Sequence, residues 1–169
     1  MVHEERSIMA AALSIEYRVG DATRPTGDGP KVVAHICNDI GAWGKGFVLA
    51  LSKRWTEPEA VYRRWFADRA TNDFRLGSVR LVQVEPDIWV ANIIGQRGIR
   101  RGSGGPPVRY DAIEEALSTV ADQARTAGAS VHMPRIGCGL AGGDWKIIAA
   151  IVERKLSATH VPVVVYDLP

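Results

Sequence analysis

Apolar and polar positions along this chain change period several times, and each change marks the end of one element and the start of another. Residues 14–19 (Ser-Ile-Glu-Tyr-Arg-Val) alternate apolar with polar, which predicts a strand with one buried face. Residues 31–37 are almost continuously apolar, the pattern of a strand covered on both faces. Phe47, Leu51 and Trp55 then recur at helical spacing and predict a helix over residues 47–55. Pro58 fits the first turn of a second helix, whose Val61, Tyr62, Trp65 and Phe66 form an apolar stripe suited to core packing. Residues 78–84 and 88–94 are strand-like on either side of the turn signal Glu85-Pro86-Asp87, so they read as an antiparallel hairpin. A glycine-, arginine- and proline-rich loop follows over residues 95–107. Residues 110–127 are amphipathic, with Ile113, Leu117, Val120 and Ala124 on one face and Gly128 placed to stop the helix. Residues 130–133 predict a strand, residues 144–157 a last helix faced by Trp145, Ile148, Ile151 and Val152, and residues 161–166 a closing apolar strand.

Helices interleaved with strands, plus one hairpin, imply an α/β fold: a mixed central sheet covered by helices on both faces. In such folds ligands lie at the carboxyl ends of strands. Three loops leave strands in this way, at residues 20–22, 38–46 and 135–143, and the topology predicts that they converge on one cleft. No internal repeat or linker divides the chain, so one domain is expected over residues 14–169, after a loosely held tail at residues 1–13 in which Met9 is a second candidate start.

Composition narrows the function classes. Charged residues make up 24% of the chain and nearly cancel to +2, without a basic run, so specific nucleic-acid binding is not expected. Arg97, Arg100 and Arg101 form one local basic cluster, which leaves room for a local anion contact. The two cysteines, Cys37 and Cys138, make neither a disulfide framework nor a metal-ligand set, and no metal or other cofactor is expected. No apolar run approaches the roughly 18 residues that span a bilayer. The opening Met-Val-His-Glu-Glu-Arg is acidic where a secretion signal is basic, and a cytoplasmic location without membrane contact is expected.

The densest candidate chemistry lies in Met133-Pro-Arg-Ile-Gly-Cys-Gly-Leu-Ala-Gly-Gly-Asp-Trp145, where Gly137, Gly139, Gly142 and Gly143 separate a strand from a helix start. Such a loop lets a ligand approach the backbone and offers free N–H groups beside a positive dipole end, a cradle for phosphate. Asp21, next to a glycine after a strand, can accept a hydrogen bond from an amino group, although turn-forming Asp is common there. Asn38 and Asp39 stand where the buried strand emerges; Asn suits a sugar hydroxyl and equally an Asx turn. Gly44 and Gly46 flank Lys45 and allow close approach to phosphate or ribose, while a solvated lysine is the commoner fate. Cys138 invites a nucleophile reading, but none of His3, His35, His132 and His160 has an evident pairing with it, and the loop reads first as a phosphate cradle. His35 and His132 lie in apolar strands and read as satisfied core residues; Asp144 reads as a helix cap.

The motifs Val19-Gly-Asp-Ala22, Val33-Ala-His-Ile-Cys-Asn38, Trp43-Gly-Lys-Gly46 and Pro134-Arg-Ile-Gly-Cys-Gly-Leu140 together resemble the macrodomain family, over nearly the whole chain. The run Pro134–Leu140 and the final Val165-Tyr-Asp-Leu168 are most similar to the subgroup typified by the terminal ADP-ribose protein glycohydrolase. The resemblance implies a three-layer α/β/α sandwich that binds ADP-ribose at the strand ends. It implies Asp21 at the adenine amino group with the Ala22 amide beside it, and Asn38 near the distal ribose. Gly44, Lys45 and Gly46 would lie along the distal ribose and phosphate, Gly137, Cys138, Gly139, Leu140 and Ala141 around the diphosphate, and Leu168 near the adenine. The chain departs from that subgroup at two places. The lysine expected after the hairpin is missing from Ile94-Gly-Gln-Arg97, and Ala141 stands in place of an aspartate. Arg97 cannot replace a nucleophilic lysine, because guanidinium stays protonated. The resemblance therefore implies a hydrolase that frees mono-ADP-ribose from acidic side chains by a simpler route, with Asn38 and Asp39 as catalytic candidates. The alternatives are a non-catalytic ADP-ribose reader and an ADP-ribose 1″-phosphate phosphatase. Expected partners are ADP-ribose and mono-ADP-ribosylated proteins, with the protein a monomer; the missing lysine and aspartate favour the reader, while a free-standing small domain favours the enzyme.

Overall fold

In the computed structural model, which describes residues 14–100 and 105–169, strand β2 (Lys31–Asn38) is buried at every position except the partly covered Ile36. Its two faces serve two separate cores. Val32 and Ala34 pack with helices α3 (Tyr110–Ala127) and α4 (Trp145–Lys155), around Ile113, Leu117, Ile148 and Val152. Val33 and Cys37 pack with helices α1 (Phe47–Arg54) and α2 (Glu57–Ala67), around Leu51, Tyr62 and Trp65. A strand with apolar residues on both faces has to sit inside a sandwich, and each fully buried side chain of this size stabilises it by about 1.5–3 kcal/mol.

The remaining strands are β1 (Glu16–Val19), the hairpin β3 (Val79–Glu85) and β4 (Ile88–Gln96), β5 (Ser130–Met133) and β6 (Val163–Asp167). Their order across the sheet is β1-β6-β5-β2-β4-β3. Every neighbouring pair is parallel except the edge hairpin β3–β4. This is the mixed, doubly covered sheet that the hydrophobic pattern predicts. Five parallel strands put their carboxyl ends at one edge, which is where the loops after β1, β2, β4, β5 and β6 gather. Strand β4 runs past the predicted residue 94 to Gln96, because a bulge between Cys37 and Asn38 brings Asn38 opposite Gln96. Helix α3 ends as predicted: Gly128 takes the left-handed conformation (φ 64°) and its N–H reaches the carbonyls of Ala124 and Arg125. The tail expected at residues 1–13, and Arg101 of the basic cluster, lie outside the described residues. Among the described residues no helix is long and apolar enough to cross a membrane.

Two buried imidazoles tie the layers together. His35 Nε2 lies 2.5 Å from Asn92 Oδ1, and Asn92 Nδ2 donates to the Pro58 carbonyl at 3.0 Å, linking β2, β4 and the start of α2. His132 bonds the Tyr166 hydroxyl through Nδ1 and Ser130 Oγ through Nε2, both at 2.8 Å. Burial pushes each pKa down from about 6.5 to about 4, and the nearby cations Lys31 and Arg18 add to the effect at His132. Both rings are therefore neutral in the folded protein at neutral pH but would take up a proton in the unfolded chain as pH falls below 6.5. Folding stability should be steady above about pH 7. It should fall as pH drops toward 4, by up to about 1.4 kcal/mol per pH unit for each ring, and level off for these groups below that value. Urea titrations at about pH 7, 6 and 5 check this, and a constant midpoint over that interval would contradict it.

Candidate functional site

A cleft of about 500 Å³ opens at the carboxyl edge of the sheet. The loop after β1 contributes Gly20, Asp21 and Ala22; the start of α1 contributes Lys45, Gly46 and Phe47. The loop after β5 supplies Gly137, Gly139, Leu140 and Ala141, and the end of β6 supplies Tyr166 and Leu168. The three loops that leave strands in the sequence thus meet around one space.

The walls of this cleft are rich in unsatisfied backbone donors. Among the described residues, the N–H groups of Gly137, Gly139, Leu140 and Ala141 make no hydrogen bond. The loop is held open by its other amides: Cys138 N donates to Arg135 O (3.3 Å), Gly142 N to Gly139 O (3.1 Å) and Gly143 N to Gly137 O (2.7 Å). A Cβ on Gly143 would stand 2.5 Å from that same Gly137 oxygen, so only glycine closes the turn here. Across the cleft, α1 begins at Gly46 with no side-chain cap and no acidic residue in its first turn. Of its first three amides only Leu49 N has a partner among the described residues, Gly46 O at 3.1 Å, so the N–H groups of Phe47 and Val48, residues that line the cleft, and the positive end of the dipole are left without one. The helix after the glycine loop differs: Asp144 caps α4 by accepting from Lys146 N at 2.9 Å. Leu140 and Gly46 nearly touch, since a Cβ on Gly46 would lie 3.9 Å from Leu140 Cδ1. Two sets of free N–H groups thus belong to segments that come close at Leu140 and Gly46 and line one cleft, an arrangement that suits an anion with several oxygens.

The structure separates the sequence candidates into cleft residues and scaffold. Asp21, Ala22, Lys45, Gly46, Gly137, Gly139, Leu140, Ala141 and Leu168 line the cleft; Asn38, Asp39, Gly44 and Cys138 do not. Asn38 is buried and fully engaged. Its Nδ2 donates to Ala42 O (2.7 Å), and its Oδ1 receives Ile40 N and Ala42 N (3.1 Å each) and the Tyr62 hydroxyl (2.8 Å). Asp39 Oδ1 accepts Gly98 N at 2.8 Å, and its own N–H bonds Gln96 O at 3.1 Å. Both residues, read from sequence as catalytic candidates, spend their side chains on shaping the loops around the cleft. Tyr62, 24 positions from Asn38, is the partner that the local pattern does not reveal.

Cleft residues missed by the sequence reading include His35, Phe47, Gln96 and Tyr166. Gln96 and Tyr166 stand near the ends of buried strands, the one signal that pointed to them. His35 is neutral and bound to Asn92, as described above. Arg135, also on the rim, pairs with both oxygens of Asp167 (2.7 and 3.1 Å) and lies between the rings of Tyr17 and Trp145, at 5.5 and 5.4 Å from their centroids. It fixes the start of the loop to β1, β6 and α4. Asp21 Oδ1 accepts both the N–H and the hydroxyl of Thr23 at 2.8 Å, which leaves its second oxygen open. Burial pushes the Cys138 thiol above its ordinary value against the weaker opposing pull of Arg135, and Sγ donates to the Ile136 carbonyl at 3.5 Å, so the thiol form is favoured there. Among the described residues no cluster of acidic, cysteine or histidine side chains could hold a metal ion.

No protein-family model matches the chain. Solved structures do. A macrodomain protein from Streptomyces coelicolor is 55% identical with a TM-score of 0.83, over 91% of this chain and 99% of that one. A protein from Bacteroides thetaiotaomicron is 54% identical with a TM-score of 0.88, over 92% of this chain and 98% of that one. Mouse chromodomain-helicase-DNA-binding protein 1-like is 31% identical over 167 residues, 92% of this chain but 18% of its own length. Bovine ADP-ribose glycohydrolase OARD1 is 33% identical over 60 residues, 35% of this chain and 40% of that one. The chain thus spans well under half of either of these relatives. Thermosipho africanus DarTG, solved in complex with ADP-ribose, shares the fold at 19% identity and a TM-score of 0.72, over 92% of this chain and 42% of that one.

The engagement of Asn38 has a measurable consequence. Asn38→Ala should lower stability by roughly 2–4 kcal/mol, because it strands several buried partners at once. Urea denaturation measures that loss; an unchanged midpoint would show that the side chain is not the brace that its hydrogen bonds indicate.

Proposed function

The chain belongs to the macrodomain family, and from that premise we propose that the cleft binds ADP-ribose and hydrolyses its ester bond to glutamate and aspartate side chains of proteins. The observation that carries the binding reading is the run of unpaired N–H groups in the glycine loop, opposite an uncapped helix start. A diphosphate is the part of ADP-ribose that needs such donors. In the proposed pose it lies between Gly137–Ala141 and the start of α1. The adenine amino group meets the open oxygen of Asp21, with Ala22 and Leu168 alongside, and the distal ribose lies toward Gly44, Lys45 and Gly46. Asn38 and Asp39 act as positioning residues for this ribose end, through the loop that they brace. ADP-ribose in a solved relative of the same fold and a glycohydrolase among the partial matches support this reading.

The cleft's side-chain chemistry limits which bond can break. Of the lining acids and bases, Asp21 is held in its turn through one oxygen, His35 is neutral and bound, Arg135 is paired, and Lys45 makes no hydrogen bond or ion pair with a described residue. On this reading Lys45 contacts the phosphate and ribose, which leaves no imidazole or carboxylic acid free to protonate a leaving group. A carboxylate, with an ordinary pKa of about 4, leaves without one, whereas a serine alkoxide or an arginine nitrogen does not. In the proposed reaction water attacks the anomeric carbon, the bond from that carbon to the carboxylate oxygen breaks with its electrons, and the water's proton passes to solvent. The protein orients the ribose and holds the diphosphate while positive charge develops on the sugar. The same lack of a free base favours a second reading, a reader that binds ADP-ribose without turnover.

Calorimetry should give saturable, micromolar ADP-ribose binding. Asp21→Asn, which can keep the turn with Thr23 but loses the charge, should weaken it roughly tenfold. Gly139→Val should also weaken binding by at least about tenfold while the protein stays folded, since a Cβ there meets open space in the free protein. Release assays on aspartate/glutamate-, serine- and arginine-linked substrates should show turnover for the acidic linkage alone. Binding without release would establish the reader, and absence of binding would remove both readings.

A further inference from the structure

Helices α1 and α2 cover only part of their face of the sheet. Val33, which they bury, lies level with His132, and His132 with Val164, so Val164 and Tyr166 of β6 belong to the same face. The cover there is Ala22, from the loop after β1, in a small separate cluster with Val164, Tyr166 and the first residue of α1, Phe47. This loop, residues 20–30, is tied down by side chains. Its ends are fixed by Gly20 N donating to Asp167 O (2.8 Å) and Ser130 N donating to Pro30 O (3.1 Å). Among the described residues, the one backbone–backbone hydrogen bond between those ends is the internal turn from Arg24 N to Asp21 O (2.9 Å). Three elements reach in to hold what lies between. Arg54, at the end of α1, donates through Nε to Thr23 O at 3.1 Å, and is itself kept in place by the Trp55 ring, 5.3 Å away, and Glu85 at 3.6 Å. Arg18 of β1 donates to Thr26 O (3.2 Å) and Thr26 Oγ1 (2.6 Å) while it grips both oxygens of Glu16. Tyr166 accepts from Thr26 N at 3.0 Å, with His132 Nδ1 behind its hydroxyl at 2.8 Å; its ring packs against Gly20, where a Cβ would lie 3.4 Å from Cδ1. Only Arg24 and the φ-restricted Pro25 separate the two anchored residues, so the turn that Thr23 makes with Asp21 has little freedom left.

We propose that this clamp, Arg54 on Thr23 with Arg18 and Tyr166 on Thr26, is what makes Asp21 select adenine against hypoxanthine, and that the three are positioning residues for the base. The proposal rests on the reading that ADP-ribose occupies the cleft with its adenine amino group at Asp21. A carboxylate does not by itself make that choice. Its open oxygen accepts from the amino group of adenine, but hypoxanthine, which carries an oxygen at that place, offers a ring N–H immediately beside it. An Asp21 free to shift takes either donor. An Asp21 held still meets the hypoxanthine oxygen with one of its own, two acceptors with no proton between them. Rejection of the wrong base is therefore a property of the loop's stiffness, supplied by residues that stand behind Asp21.

The test measures by calorimetry the affinity of the full chain for ADP-ribose and for inosine diphosphate ribose, its counterpart with hypoxanthine in place of adenine. The parent should prefer ADP-ribose roughly tenfold. In the double variant Arg18→Met/Arg54→Met, both side chains are partly exposed and methionine keeps much of their stems, so the protein should fold. Tyr166→Phe keeps the ring against Gly20, removes the hydroxyl from Thr26 and tests the third anchor separately. In each variant the preference should fall to about threefold or less, as inosine diphosphate ribose gains on ADP-ribose. The readout is a ratio of two affinities on one protein, so a general weakening of the cleft or a loss of folded protein does not move it. With Asp21→Asn added, the clamp variants should change the preference no further, because they act through that carboxylate. A preference that survives in both clamp variants overturns the clamp and leaves Asp21 at the amino group standing. A parent that binds the two ligands equally overturns the clamp together with the place of Asp21 in the pose, while the diphosphate site stands. If ADP-ribose fails to bind, the site and the clamp fall together.

Discussion

A strand buried on both faces cannot hydrogen-bond to its loops at will; it must pair with a neighbour on each side and be roofed by helices above and below. Strand β2 imposes that condition here, with β5 on one side and β4 on the other, both parallel to it. Parallel pairing then propagates through β6 to β1, and the connections from β2 to β3, β4 to β5 and β5 to β6 cross a face of the sheet as helices. Five strands consequently release their chains at one edge. The cleft is the space left between those loops; close packing demands glycine at Gly143, against the Gly137 carbonyl, but not at Gly139, where a side chain would meet only open space.

This origin explains a division of labour around the cleft. The polar side chains at the strand ends are drawn into bracing the loops, because a buried strand end leaves backbone groups that something must satisfy. Asn38 satisfies the loop after β2, Asp39 holds the segment after β4 through Gly98, and His35 with Asn92 ties the sheet to α2. What remains available to a ligand is main chain, amides that the loop after β5 does not use on itself, together with Lys45, unpartnered among the described residues, and the open oxygen of Asp21. Arg135, which one would place on a phosphate by its charge, is committed to Asp167 and two aromatic rings. The site recognises through geometry more than through mobile charge.

The same division explains how far the sequence could be read. Period and turn chemistry locate every strand and helix among the described residues to within a few positions, because each element carries its own pattern locally; Gly128 after α3 is the clearest case. The convergence of three loops also follows from the α/β topology, before any coordinate. Side-chain commitment does not. Asn38 is equally suited to a sugar hydroxyl or an Asx-type turn, and Tyr62, which settles the matter, lies 24 positions away. His35 reads as a satisfied core residue, and it is one, yet the strand's short exit also makes it a wall of the cleft. Its partner Asn92 is 57 positions away, on a strand whose pairing with β2 no local pattern specifies. Long-range hydrogen bonds decide orientation, and a linear pattern carries no record of them.

A cleft that recognises with fixed amides holds a diphosphate equally well in substrate and transition state, and such uniform binding lowers the concentration needed without speeding the bond-breaking step. Rate must then come either from a side chain that acts only in the transition state or from a bond that is already weak. The subgroup that this chain resembles is expected to use the first route, with a lysine and an aspartate, and here Gln96 and Ala141 occupy the corresponding region without that chemistry. The second route survives because an ADP-ribosyl ester expels a carboxylate, already a stable anion. On the proposed reading, linkage selectivity is therefore a consequence of what the cleft lacks: with Lys45 on the ligand and no free imidazole or carboxylic acid, the site turns over the one class of bond that needs no proton donor, and holds the others intact.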